Sequence, residues 1–65
     1  SSRAEAFNLL GALLEIRGDV RAAQKNYRAA YSLDPTYGPS RENLDRLSNL
    51  TQRGNPIRLD ADSEF

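Results

Sequence analysis

At 65 residues the chain has room for one small domain, in the size range where a single core is marginal. Nine basic and nine acidic side chains cancel, which argues against a chain built to coat nucleic acid. Cys and His are both absent, which excludes disulfide staples and thiolate metal sites and removes the commonest general base and metal ligand.

In chain order, Ser2 and Glu5 fit a capping box at a helix start, their side chains satisfying amides that have no partner within the helix. Phe7, Leu10, Gly11 and Leu14 follow at i, i+3, i+4 and i+7, one apolar stripe of an α-helix. Gly18 ends that helix, because Gly readily takes the left-handed geometry just beyond a helix terminus. Asp19 then caps a second helix, with its carboxylate at the positive end of the helix dipole. Val20, Ala23, Tyr27 and Ala30 form the inner stripe of the second helix. Asp34-Pro35 stops it, since the residue before Pro is pushed out of α geometry.

Gly38-Pro39 opens a third helix, with Pro tolerated in the first turn where its missing N–H is not needed. Its apolar edge is thin, Leu44, Leu47 and Leu50, and its back is charged. Arg41 with Asp45 and Glu42 with Arg46 are expected i, i+4 ion pairs, worth about 0.2–0.5 kcal/mol each. Beyond Thr51 the periodicity stops, and Gly54, Asn55-Pro56 and the acidic Asp60, Asp62 and Glu64 read as a flexible tail. Within it Ile57 and Leu59 alternate with Arg58 and Asp60, a short segment suited to docking in an extended form. No apolar run approaches the ~20 residues that span a bilayer. A start at Ser1-Ser2 without Met is expected of a fragment of a longer protein.

Taken together, Phe7, Leu10-Gly11, Leu14, Gly18-Asp19, Ala23, Tyr27, Ala30 and Leu33-Asp34-Pro35 resemble one tetratricopeptide repeat, a helix-turn-helix unit of about 34 residues. The resemblance covers Ala4 to Tyr37, just over half the chain. Phe7 stands where the family usually has Trp, and Leu14 where it often has Tyr. From Gly38 the chain begins like another repeat, with Asn43-Leu44 in a place often held by Asn-Leu. However, Arg41 replaces the expected aromatic and Asp45 the Gly, so this helix resembles the solvating helix that ends many such arrays. The implied fold is all-α, a fragment of an α-solenoid. It comprises one antiparallel hairpin over 1–37 (helices at about 3–17 and 20–33), a capping helix over 38–51 and a tail over 52–65.

The first helix carries a second apolar stripe, Ala6, Leu9, Leu13 and Ile16, at i, i+3, i+7 and i+10. Nothing in this chain precedes the repeat to cover it, and leaving Leu9, Leu13 and Ile16 in water forfeits about 1.5–3 kcal/mol apiece. Ordinary domains are stable by only about 5–15 kcal/mol, so the stripe is expected to need a neighbour. That neighbour is an upstream repeat of a larger protein or, for isolated chains, a second copy. The second arrangement is a two-fold dimer, or an exchange of helices.

The family resemblance implies a non-catalytic protein–protein interaction module, a scaffold or adaptor segment whose partner is a protein or peptide. Two alternatives are a dedicated homo-oligomerisation element and a regulatory appendage of a larger enzyme or signalling protein. The resemblance places a ligand groove on the concave side, lined here by Glu5, Asn8, Ala12, Glu15 and Ile16, with Glu42, Arg46 and Asn49 as the corresponding positions of the capping helix. Family members that clamp chaperone carboxylates use Lys and Asn at the places Asn8 and Ala12 hold here, so that specialised function is not expected. Arg21, Lys25 and Arg28, with Arg17 nearby, form a row on the second helix. Such a row is usually a solvated face, and it would also attract an acidic partner or the chain's own Asp60–Glu64. No catalytic residue, cofactor or metal is expected, because nothing spaces a nucleophile with its base and no Gly-rich phosphate loop occurs.

Overall fold

A computed structural model of the protein describes residues 2–52. Three helices follow in order, α1 (Ser2–Ile16), α2 (Val20–Leu33) and α3 (Gly38–Gln52), and the described residues contain no strand. The fold is all-α. The tail segment around Ile57 and Leu59, with its acidic finish, lies outside the described residues.

The turns form where local chemistry dictates. Gly18 has φ +92°. Its N–H donates to the Glu15 carbonyl at 2.9 Å, and the next N–H, that of Asp19, donates to the Leu14 carbonyl at 2.9 Å. This six-to-one and five-to-two pair satisfies carbonyls that the end of α1 would otherwise leave open. Asp19 caps α2, its carboxylate accepting from the Ala22 N–H at 3.1 Å. At the far end Asp34 is extended (φ −151°, ψ 90°), as its place before Pro35 requires. Its carboxylate accepts from the N–H and the hydroxyl of Thr36, at 3.1 and 2.6 Å, and thereby fixes the turn into α3. At the N-terminus α1 already includes Ser2, so the residue expected as the cap stands within the first turn.

The core is small and centres on α2. Ala23, Tyr27 and Ala30 are wholly buried, whereas Val20, at the first helical position, stays 36% exposed. Against them α1 turns a band of Ala4, Phe7, Gly11 and Leu14, spaced i, i+3, i+7 and i+10. Leu10, which the sequence pattern put in this stripe, lies at its margin and is 45% exposed. Ala4 takes the inner place instead, because a band of that spacing drifts slowly around the helix and Leu10 falls to one side. The Gly11–Tyr27 contact sets how closely the hairpin closes. A Cβ at Gly11 would sit 2.6 Å from Cε1 and 2.7 Å from Cδ1 of the Tyr27 ring.

On its other side α2 receives α3. Leu47 is buried with Ala23 and Tyr27, and Leu14 and Leu44 pack on that cluster. Ser40, also buried, donates its hydroxyl to the Tyr37 carbonyl at 3.1 Å, so its polar atom is satisfied one turn back. Leu47 meets the first half of α2, and Tyr31, farther along, shares a shallow cleft with Arg41, Leu44 and Asp45. The two helices therefore run antiparallel, and the end of α3 lies beside the start of α2.

Candidate functional site

α1 packs on α2 through its Gly11 face, and Leu9 lies about 200° around the helix from Gly11. The stripe that includes Leu9 consequently points away from the core. Leu9 is 60% exposed, Leu13 51% and Ile16 82%, with Ala6 exposed beside them. Leu10, at the margin of the inner band, adjoins the same surface. Scattered exposed leucines are normal on a protein surface, but a contiguous apolar row on one helix of so small a molecule marks a contact surface.

The residues expected on the concave side behave differently from one another. Glu5 is exposed and Ala12 half-buried. Asn8 and Glu15 are joined to α3 by a continuous chain of hydrogen bonds. The Asn8 side-chain oxygen accepts from Asn43 Nδ2 at 3.0 Å, and Asn43 Oδ1 in turn accepts from Arg46 Nη2 at 2.9 Å. Arg46 then grips Glu15 with both arms of its guanidinium, Nη2 to Oε1 at 2.8 Å and Nη1 to Oε2. The Tyr27 hydroxyl donates to Glu15 Oε1 at 2.8 Å. One carboxylate thus ties all three helices together.

The electrostatics follow from this geometry. Hydrogen bonds from Arg46 hold the Glu15 carboxyl below its ordinary value, with the Tyr27 hydroxyl adding to the effect and burial opposing it. Burial pushes the Tyr27 hydroxyl up to about 12, and donation to the Glu15 carboxylate works in the same direction. The Glu15 hydrogen bond likewise raises Arg46. A polar cluster so fully paired among its own members is first a fastening between helices. Glu5, Ala12 and Ile16 on α1 and Glu42 and Asn49 on α3 take no part in that cluster among the described residues.

The structure also redirects one expected pair. Arg41 does meet Asp45, at 3.7 Å with both side chains two-thirds exposed. Arg46, expected to pair with Glu42 one turn earlier, reaches across to Glu15 instead. The fork of a guanidinium matches a carboxylate in two bonds, and Glu15 is the less exposed and better-supported acceptor. Asn43 was not singled out from the sequence as a site residue. Its partners are 35 residues away in Asn8 and three residues away in Arg46, and only the second spacing has a local signature.

Among the described residues no group of His, Cys, Asp and Glu side chains is arranged to hold a metal. Among these residues no helix is long and apolar enough to cross a membrane. Comparison with known proteins finds no match, whether with a family model, a curated protein or a solved structure.

Proposed function

We propose that this chain is a non-catalytic protein–protein interaction module, a terminal piece of a tetratricopeptide-repeat scaffold or adaptor. On this reading it buries the Ala6, Leu9, Leu13 and Ile16 face of α1 against another polypeptide, and isolated chains associate with one another. The observation that carries the reading is the exposure of those large apolar side chains on the side of α1 opposite the core. Its support is energetic. Complete burial of such a side chain is worth about 1.5–3 kcal/mol, and a partner gains the share that remains in water, half or more at Leu9, Leu13 and Ile16.

The contact between α2 and α3 gives this reading a second support. α3 seats on α2 through Ser40, Leu44 and Leu47. One repeat length earlier, about 34 residues, stand Ala6, Leu10 and Leu13, all exposed. The face by which α3 joins the hairpin before it thus has a counterpart on α1 that is exposed among the described residues. An upstream repeat is the natural occupant in a longer protein, and a second copy is the occupant for the isolated chain.

Size-exclusion chromatography with light scattering, run over a range of concentrations, tests the proposal. The expected mass exceeds the 7.3 kDa of one chain and rises with concentration. Leu13→Glu should return the chain to a monomer with its helix content kept. A wild-type chain that stays monomeric throughout and melts cooperatively removes the reading.

A further inference from the structure

The outer side of α2 carries a second feature that the α1 face does not use. Arg21, Lys25 and Arg28 are all exposed, and i, i+4, i+7 spacing puts them in one row. No acidic residue occurs between Val20 and Leu33, and Asp19, just before the helix, is committed to its cap. Among the described residues no ion pair reaches the three cations, whereas Arg41 and Arg46 both have carboxylate partners. Residues 53–65 carry three carboxylates, Asp60, Asp62 and Glu64, grouped at every second position after the two cations Arg53 and Arg58.

We propose that the chain's own C-terminal segment, Asp60 to Glu64, docks along the Arg21–Lys25–Arg28 row of α2. Three observations single out this occupant. The segment starts in the right place, because antiparallel packing leaves the end of α3 beside the start of α2, one helix spacing (~8–10 Å) away. It is long enough: the eight residues from Gln52 to Asp60 span up to ~26–29 Å, and the row is only ~10.5 Å long. Its charges are in step. Alternate residues of an extended chain share one side at ~6.6–6.8 Å intervals, and the cations rise by ~6 and ~4.5 Å along α2. Long Arg and Lys side chains absorb the difference. Each exposed ion pair is weak, but the tether keeps the acidic segment at high local concentration. The row is therefore self-covered, and any acidic partner must displace the segment to reach it.

A spin label tests this in the full chain. The protein has no Cys, so Phe65→Cys gives a single attachment point. The label should broaden the backbone amide signals of Arg21 to Arg28 at about 0.01 M salt. That broadening should vanish near 1 M, as the screening length falls from ~30 to ~3 Å. D60N/D62N/E64Q and R21E/K25E/R28E should each abolish it, with helix content unchanged. Broadening that survives neutralisation, or that is missing at low salt, overturns the proposal. So does broadening that appears only when labelled chains are mixed with separate isotope-enriched ones, since the contact is then between molecules. Self-association through α1 is read separately by light scattering, and Leu13→Glu should leave the α2 broadening in place.

Discussion

Gly11 is the residue on which the hairpin most depends. In an exposed helix interior, replacing Gly by Ala gains about 0.5–1 kcal/mol. Here the added methyl would lie 2.6 Å from the Tyr27 ring, which is wholly buried and has no free direction to move. Overpacking of that kind costs about 1–3 kcal/mol, so the steric term wins. Gly11→Ala should lower the denaturant midpoint and loosen the contact of α1 with α2. Tyr27 itself carries a pH signature. Its hydroxyl is pushed up to about 12, so the folded state holds the proton more tightly than the unfolded one, whose ordinary value is about 10. Stability from this group is complete below about pH 10 and drains away as the pH rises toward 12. Circular dichroism should follow helix loss through that window. Tyr27→Phe should move the loss to higher pH at some expense of stability near neutrality, because Glu15 then lacks a donor.

At the scale of the element, α3 is held by an apolar contact and a polar one, and their magnitudes rank them. Leu47 is 1% exposed against Ala23 and Tyr27. Truncating such a residue typically costs about 2–5 kcal/mol, so Leu47→Ala should release α3 or unfold the chain. The Arg46–Glu15 pair is 46% and 23% exposed at its two side chains. Its contribution belongs near the surface-pair range, about 1 kcal/mol or less, and Arg46→Ala should destabilise only mildly. Acid provides a separate check. The folded Glu15 carboxyl titrates below its unfolded value, so its share of stability is present above about pH 4.3 and is lost as pH falls through the folded value. Glu15→Gln should flatten that part of the pH–stability profile. Comparisons among these variants belong at one fixed protein concentration.

For the whole molecule, stability and association are one question. A core of Ala23, Tyr27 and Leu47 with half-buried Leu14 and Leu44 is small, and the largest apolar surface on α1 lies outside it. If a second copy covers that surface, the melting temperature must depend on chain concentration, because mass action favours whatever binds the folded state. We expect the midpoint to rise on going from low to high micromolar chain. Leu13→Glu should remove the dependence and leave a lower, concentration-independent midpoint. The end of the molecule at α3 differs in character, with Arg41, Glu42, Asp45 and Asn49 exposed. Association through one adhesive face closes at a pair, whereas two unlike adhesive faces would build an open chain.

Local chemistry is enough to place the elements. Gly18 and Asp19 make one turn and Asp34-Pro35 the other, because left-handed geometry, capping and the pre-proline restriction act within a few residues. The bands of α2 and α3 are legible for the same reason, since a helix repeats its own surface every 3.6 residues. Periodicity could name two apolar stripes on α1, but it could not fix the margin between them. Leu10 and Ala4 exchange roles because burial depends on where the Tyr27 ring meets α1. Nor could it choose a partner for Arg46. Glu42 and Glu15 are both carboxylates, one a turn away and the other 31 residues away. Only the packed helices bring the second within reach, where partial burial, a fork-shaped donor and a tyrosine hydroxyl make it the stronger acceptor. The sequence by itself determined three helices and their turns. Tertiary structure alone decided which carboxylate binds them together and left Leu9, Leu13 and Ile16 facing outward.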